Sequence, residues 1–110
     1  MERHVAVVTD STSYLPTQWA VDNQITKVPV QVIVSGQAFR EGVDISTAEV
    51  ARALRDWLPV STSRPSPVDG VNAYELAAAS GVDHIISAHL SAELSGTYQT
   101  ALLAAKDSPV

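Results

Sequence analysis

The sequence predicts a three-layer α/β/α fold with a mainly parallel sheet, formed as a single α/β domain over residues 1–110. Runs of β-branched apolar residues alternate with segments of helical periodicity, and this alternation is typical of parallel β-α units. The hydrophobic fraction of 45% supplies enough apolar side chains for one packed core. Crossovers between parallel strands are right-handed, so ligands are expected at the carboxyl ends of the strands.

The first predicted unit is a buried strand over residues 4–9 that leads into a helix. This run is rich in valine, and the polar residues 10–13 after it can cap a helix that has Pro16 near its first turn. A second β-rich run covers residues 25–34 and contains Pro29. Because proline cannot donate a hydrogen bond to a sheet, Pro29 indicates a sheet edge, a bulge or a strand that begins after it.

The middle of the chain predicts a turn, a small hairpin or loop, and a capped helix. Gly36 turns the chain, and residues 37–45 are too short and polar for a core element. Ser46 and Glu49 then form the Ser-x-x-Glu pattern of a capping box. Apolar residues follow at helical spacing, so we expect a helix that begins after Ser46 and ends before Pro59.

The last part of the chain predicts a helix, a strand and a second helix. Ser66 offers a cap and Pro67 a first-turn proline for a helix that ends at Gly81. Residues 82–90 form the next predicted strand. Residues 97–105 are rich in Ala and Leu and form the last predicted helix, which completes the alternation of strands and helices.

Composition argues against several classes of function. Seven Lys and Arg against 12 Asp and Glu give a net charge of −5, and the basic residues do not cluster, which argues against nucleic-acid binding. The absence of cysteine excludes disulfides and thiolate chemistry. No apolar run approaches the ~20 residues of a membrane span. The amino terminus lacks a basic-then-apolar signal pattern, so we expect a cytoplasmic protein.

Two hydroxyl-rich segments, residues 62–67 and 91–98, lie where the chain is predicted to enter a helix. A helix start presents unpaired backbone N–H groups and the positive end of the dipole, so hydroxyls there can hold a carboxylate or a phosphate. Capping explains Ser66 but explains Thr62 and Ser95 less well, and these two are the predicted ligand contacts. Neighbouring residues are expected to support them: Ser63, Ser91, Gly96, Thr97, Asp10 and Ser11.

A serine hydrolase is an alternative interpretation, with Ser95 or Ser91 as nucleophile, His89 as base and Asp10 as the group that orients it. The spacing argues against it, because the nucleophile elbow needs glycine two residues before the serine and Glu93 stands before Ser95. Structural roles are favoured for His89 and for Asp10, which can accept hydrogen bonds from its own turn. The sequence has neither a phosphate-loop glycine pattern nor a metal-ligand spacing. A non-catalytic interaction domain is the second alternative.

Four motifs together resemble the DegV family in content, order and spacing: residues 10–13, 41–46, 62–67 and 94–99. DegV proteins are two-domain α/β proteins that bind fatty acids, and some present the bound fatty acid to a separate fatty acid kinase. The resemblance implies that Thr62 and Ser95 hold the carboxylate of a long-chain fatty acid, with neighbouring backbone N–H groups assisting. It also implies that the bound fatty acid is a ligand of a carrier protein, with no cofactor and no metal.

The chain differs from the family in two residues and in length. Arg64 stands where the family usually has glutamine, and Ala92 where a second serine often lies. Family members are more than twice as long, and the resemblance implies that the acyl chain lies in a tunnel between their two domains. We therefore expect this chain to be an amino-terminal domain that binds fatty acid weakly alone. The family's next strand is absent, which leaves a sheet edge unpaired and favours self-association.

Overall fold

The computed structural model describes residues 4–90 and 95–110. In chain order the elements are β1 (Val5–Asp10), a 3-10 turn (Ser11–Ser13), α1 (Thr17–Asp22), β2 (Ile25–Val28), β3 (Gln31–Val34), β4 (Gln37–Arg40), α2 (Thr47–Arg55), β5 (Val60–Ser63), α3 (Pro67–Ala78), β6 (His84–Ala88) and α4 (Thr97–Ala105). The mixture of helices with a parallel sheet confirms the predicted α/β class. Among the helices of the described residues, none is both long and apolar enough to cross a bilayer.

The parallel sheet has the strand order β2-β1-β6. Val7 of the central strand is paired with Ile25 on one side and with Ile86 on the other. Helix α3 contacts all three strands and also packs along α4. The core between them includes Val8, which is fully buried, and Tyr74. Because β1 and β6 are parallel neighbours, the segments that follow them leave the sheet at the same edge.

A second sheet is antiparallel, has the order β4-β3-β5 and was not part of the sequence prediction. Pro29 separates β2 from β3, so the predicted run over residues 25–34 is two strands in two different sheets. Ser35 and Gly36 both have positive φ, 49° and 83°, as a two-residue hairpin turn requires. A hairpin does form here: β4 follows Gly36 and pairs with β3, which lies before the turn.

Strand β5 corrects one interpretation of the hydroxyl-rich segment 62–67. Thr62 is paired with Val32 and Ser63 with Gln31, so both are strand residues and do not lie in a turn at a helix start. The helix begins later, at the cap Ser66. The physical reason is the pairing with β3, which satisfies backbone groups that a local capping turn would otherwise have satisfied.

The predicted helix caps are confirmed by their hydrogen bonds. Ser46 Oγ accepts from the Glu49 N–H at 3.1 Å, and Glu49 Oε1 accepts from the Ser46 N–H at 3.1 Å, which is the reciprocal capping box. Ser66 Oγ accepts from the Asp69 N–H at 3.2 Å, with Pro67 as the first helical residue. These caps fix the start of α2 and of α3.

The amino-terminal half of α3 lies close to the carboxyl-terminal end of α4. A Cβ atom at Gly70 would lie only 2.9 Å from the Ala104 Cβ, so this contact requires glycine. Thr97 and Thr100 are buried in the described structure, with exposed fractions of 0% and 2%. The residues just before α4 and those at the end of β5 line one cleft, where the hydroxyl-bearing residues lie.

Candidate functional site

Three segments that are distant in sequence line one cleft of about 390 Å³. Thr12 comes from the turn after β1, Thr62 and Ser63 from the end of β5, and Ser95 and Gly96 from the start of α4. The remaining lining residues are Tyr14, Val30, Glu41, Arg64 and Leu90. We call this set of residues the hydroxyl cleft. It contains the two predicted ligand contacts and three further groups that can donate hydrogen bonds through a hydroxyl: Thr12, Ser63 and Tyr14.

Ser95 is held in place by the first residue of α4. Its Oγ accepts from the Thr97 N–H at 3.2 Å and lies 2.9 Å from the Thr97 hydroxyl. Gly96 occupies the N-cap position and has no side chain to cap the helix, so Ser95 performs this task from one residue earlier. When Thr97 donates its hydroxyl proton to Ser95, the Ser95 proton is free to donate into the cleft.

Asp10 and His89 form a buried pair below the cleft. His89 Nδ1 lies 2.9 Å from Asp10 Oδ2, and the exposed fractions of the two side chains are 4% and 1%. Asp10 Oδ1 accepts from the Thr12 N–H at 2.9 Å and also from the Thr12 hydroxyl. The pair thus ties the carboxyl end of β6 to the turn after β1, and it positions Thr12 at the cleft.

The pKa of Asp10 lies below its ordinary value. Burial alone would raise this pKa, but hydrogen bonds from the Thr12 hydroxyl, the His89 ring and the Thr12 N–H, with the charge interaction of His89, outweigh it. Asp10 is therefore ionised at neutral pH and acts as an acceptor. The sequence interpretation of Asp10 as the acceptor for its own turn agrees with these contacts.

His89 is directed away from Ser95. Its Nε2 lies 2.6 Å from Ser87 Oγ, and Ser87 Oγ lies 2.8 Å from the Tyr74 hydroxyl. With Asp10 on Nδ1, both ring nitrogens are engaged, so the hydrolase arrangement of Ser95, His89 and Asp10 is not formed in this structure. Ser87 lies within strand β6, where its hydroxyl is already shared by two partners. This chain of hydrogen bonds is typical of a structural network.

Only some of the supporting residues predicted from the sequence line the hydroxyl cleft. Ser63 and Gly96 line the cleft, Thr97 holds Ser95 from behind, and Asp10 lies beneath Thr12. Ser11 does not line the cleft, because its Oγ accepts from the Val30 N–H at 3.0 Å and joins the turn to the chain before β3. Ser91 and the other residues of 91–94 lie outside the described residues.

Thr12, Tyr14, Glu41 and Arg64 are cleft residues that the sequence analysis did not select as contacts. Thr12, Glu41 and Arg64 belong to motifs that the sequence had singled out, which was a usable signal. The Tyr14 hydroxyl lies 3.5 Å from Glu41 Oε2, and Tyr14 has a positive φ of 50°. These two residues also line a second, larger cleft of about 580 Å³, whose walls include Leu15, Ala20, Val21, Ile25 and Val43.

Within residues 4–90 and 95–110, no group of three or more His, Cys, Asp or Glu side chains could hold a metal ion. The lining of the hydroxyl cleft offers hydrogen-bond donation from hydroxyls and from the Arg64 guanidinium, with Glu41 as an acceptor. Such a set can bind and orient an oxygen-rich anionic group.

A family model described as "Uncharacterised protein, DegV family" matches residues 4–109. The chain belongs to the DegV family. It is 50% identical over 110 residues to a DegV domain-containing protein of Streptomyces coelicolor. The matched region covers 100% of this chain and 39% of that protein. A relative of the same description from Listeria innocua is 39% identical over 102 residues, covering 92% of this chain and 36% of the relative.

Solved DegV structures share the fold. A fatty-acid-binding DegV family protein from Thermus thermophilus superposes with a TM-score of 0.82 at 37% identity, covering 97% of this chain and 38% of that protein. DegV from Bacillus subtilis, described as a fatty acid binding protein, gives a TM-score of 0.84 at 31% identity, covering 97% of this chain and 38% of that protein. This chain thus spans well under half the length of the DegV proteins that it matches.

Proposed function

We propose that this DegV chain binds the carboxylate of a long-chain fatty acid in the hydroxyl cleft, with Thr62 and Ser95 as its direct contacts. The observation that carries the proposal is the meeting of hydroxyls from the β1 turn, the end of β5 and the start of α4 in one cleft of about 390 Å³. Relatives from Thermus thermophilus and Bacillus subtilis, described as fatty acid binding, support the choice of ligand.

The geometry suits a carboxylate head group with an apolar tail. Hydroxyls and the start of α4 can donate to a carboxylate without a lysine. The larger cleft, which shares Tyr14 and Glu41, presents apolar side chains beside the hydroxyl cleft. Burial of about fifteen methylenes at about 0.8 kcal/mol each would contribute some 12 kcal/mol gross, so the tail supplies affinity and the hydroxyls supply orientation. Because the chain spans about 38% of its relatives, the proposal concerns the head-group contacts.

Mass spectrometry of lipid extracted from the purified protein tests the proposed function directly. We expect long-chain fatty acids to be enriched over a protein of similar size purified from the same cells. A longer form of the chain serves as the comparison and should retain more lipid, because more of the acyl chain would be buried. An extract free of fatty acid, together with no binding of added palmitate or oleate, would contradict the proposal.

We propose further that this chain presents the bound carboxylate to a separate fatty acid kinase, which approaches it from the solvent side of the cleft. Thr62, Ser63 and Arg64 are exposed at the cleft, so a head group held there stays open to a second protein. The matching assay adds a fatty acid kinase and ATP to the fatty-acid-loaded protein and measures transfer of phosphate to the fatty acid. Absence of transfer with a kinase that is active on another DegV protein would contradict this role.

Self-association through β6 is a second role that the structure favours. In the described part of the chain, β6 pairs with β1 on one side only. Its Ile86 side chain is 58% exposed, and the strand carries neither lysine nor proline to block pairing. We expect the sedimentation coefficient to rise with protein concentration and Ile86→Lys to suppress the rise. A monomer at every concentration would contradict this expectation.

A further inference from the structure

Arg64 is the one lysine or arginine among the residues that line the hydroxyl cleft. Its backbone is anchored, because the Arg64 carbonyl accepts from Gln31 Nε2 at 3.3 Å. Among the described residues, Arg40 is the arginine that forms ion pairs. The Arg64 guanidinium has no acidic partner among them. A cation in this state is available to a ligand.

The Arg64 side chain lies across Gly96 at the start of α4. A Cβ atom built on Gly96 would be 2.8 Å from Arg64 Cδ and 3.6 Å from Arg64 Cβ. The φ of Gly96 is −78°, which any residue can adopt, so glycine is needed here for space rather than for backbone freedom. The missing side chain at position 96 therefore lets the arginine stem rest beside Ser95, one of the two proposed contacts.

We propose that Arg64 determines head-group specificity, so that the cleft selects an ionised carboxylate over a neutral alcohol of the same chain length. This inference rests on the proposed function. Hydroxyl groups donate to neutral and to anionic oxygen atoms, so Thr62 and Ser95 can also hold the alcohol. The guanidinium carries a full positive charge and favours the anion.

The test compares decanoic acid with 1-decanol at pH 8, both as competitors of a fluorescent fatty acid. For the unaltered chain we expect the acid to bind more tightly, and Arg64→Gln to lower the acid-to-alcohol affinity ratio about tenfold. Arg55→Gln is the matched control, since it removes the same charge from helix α2, outside the cleft lining, and should leave the ratio unchanged. Arg64→Gln with an unchanged ratio would overturn this inference while leaving fatty acid binding intact. No binding of the acid by the unaltered chain would overturn the proposed function as well.

A second variant separates the effect of the Arg64 charge from an effect of altering the start of α4. Gly96→Ala forces the Arg64 stem to move, so we expect it to lower the acid-to-alcohol ratio by a similar factor. In an Arg64→Ala background the alanine at position 96 has room, and it should change the ratio little further. An equal loss in both backgrounds would show that the start of α4 acts without Arg64, and the specificity role would be wrong.

Discussion

Replacing Thr62 and Ser95 together with alanine is expected to weaken palmitate binding about 100-fold. The two hydroxyls line the same cleft, and each can donate one hydrogen bond to the bound carboxylate. A hydrogen bond to a charged group contributes about 1.5–3 kcal/mol, and each tenfold change in affinity is about 1.4 kcal/mol. The dissociation constant of palmitate, measured by titration at neutral pH, checks this expectation.

Two controls make this measurement specific for the hydroxyl groups. Thr62→Ser keeps a hydroxyl at the same position and should bind palmitate within a few-fold of the unaltered chain. Ser61→Ala changes the neighbouring residue of β5, which does not line the cleft. Thermal unfolding of each variant confirms that the fold is retained. Equal binding by the double variant and the unaltered chain would remove Thr62 and Ser95 from the site.

His89→Ala is expected to lower the free energy of unfolding by about 3 kcal/mol, because it leaves a buried carboxylate without its partner. The Asp10 side chain is 1% exposed, and its Oδ2 has His89 Nδ1 at 2.9 Å. Ser87 also loses a partner at 2.6 Å. His84→Ala is the matched control: His84 is the first residue of β6 and is exposed, so its loss should change stability by about 0.5 kcal/mol or less. Urea unfolding at pH 7 measures both variants.

The same pair sets how stability depends on pH. The folded pKa of Asp10 lies below its ordinary value, so ionised Asp10 stabilises the fold above the ordinary pKa of about 4. This stabilisation is lost as the pH falls through the lowered pKa. Removing the His89 ring takes away one cause of the lowered pKa, so the loss of stability between pH 7 and pH 3 should be smaller in His89→Ala. An identical loss in both proteins would assign the acid sensitivity to other carboxylates.

The sequence predicted those features that depend on nearby residues. The capping box of Ser46 and Glu49 and the cap at Ser66 form hydrogen bonds between residues three positions apart, so a short pattern is sufficient. Of the three interpretations that Pro29 allowed, a strand that begins after it agrees with β3, and this effect of proline on the backbone is also local. The motifs at residues 62–67 and 94–99 also identified the family, which the match over residues 4–109 confirmed.

Only the tertiary structure decided which side chains meet. Asp10 and His89 are 79 residues apart, and the structure directs His89 to Ser87 rather than to Ser95. Thr62 became a strand residue because pairing with β3 competes with local capping, and no nearby pattern reports this second sheet. The contact of Arg64 with Gly96 likewise depends on tertiary packing, because the two residues are distant in sequence. A helix cap or a strand break depends on backbone groups within about one turn of the chain, so a short sequence pattern predicts it. A cleft depends on how elements that are distant in sequence pack together, and no local pattern contains that information.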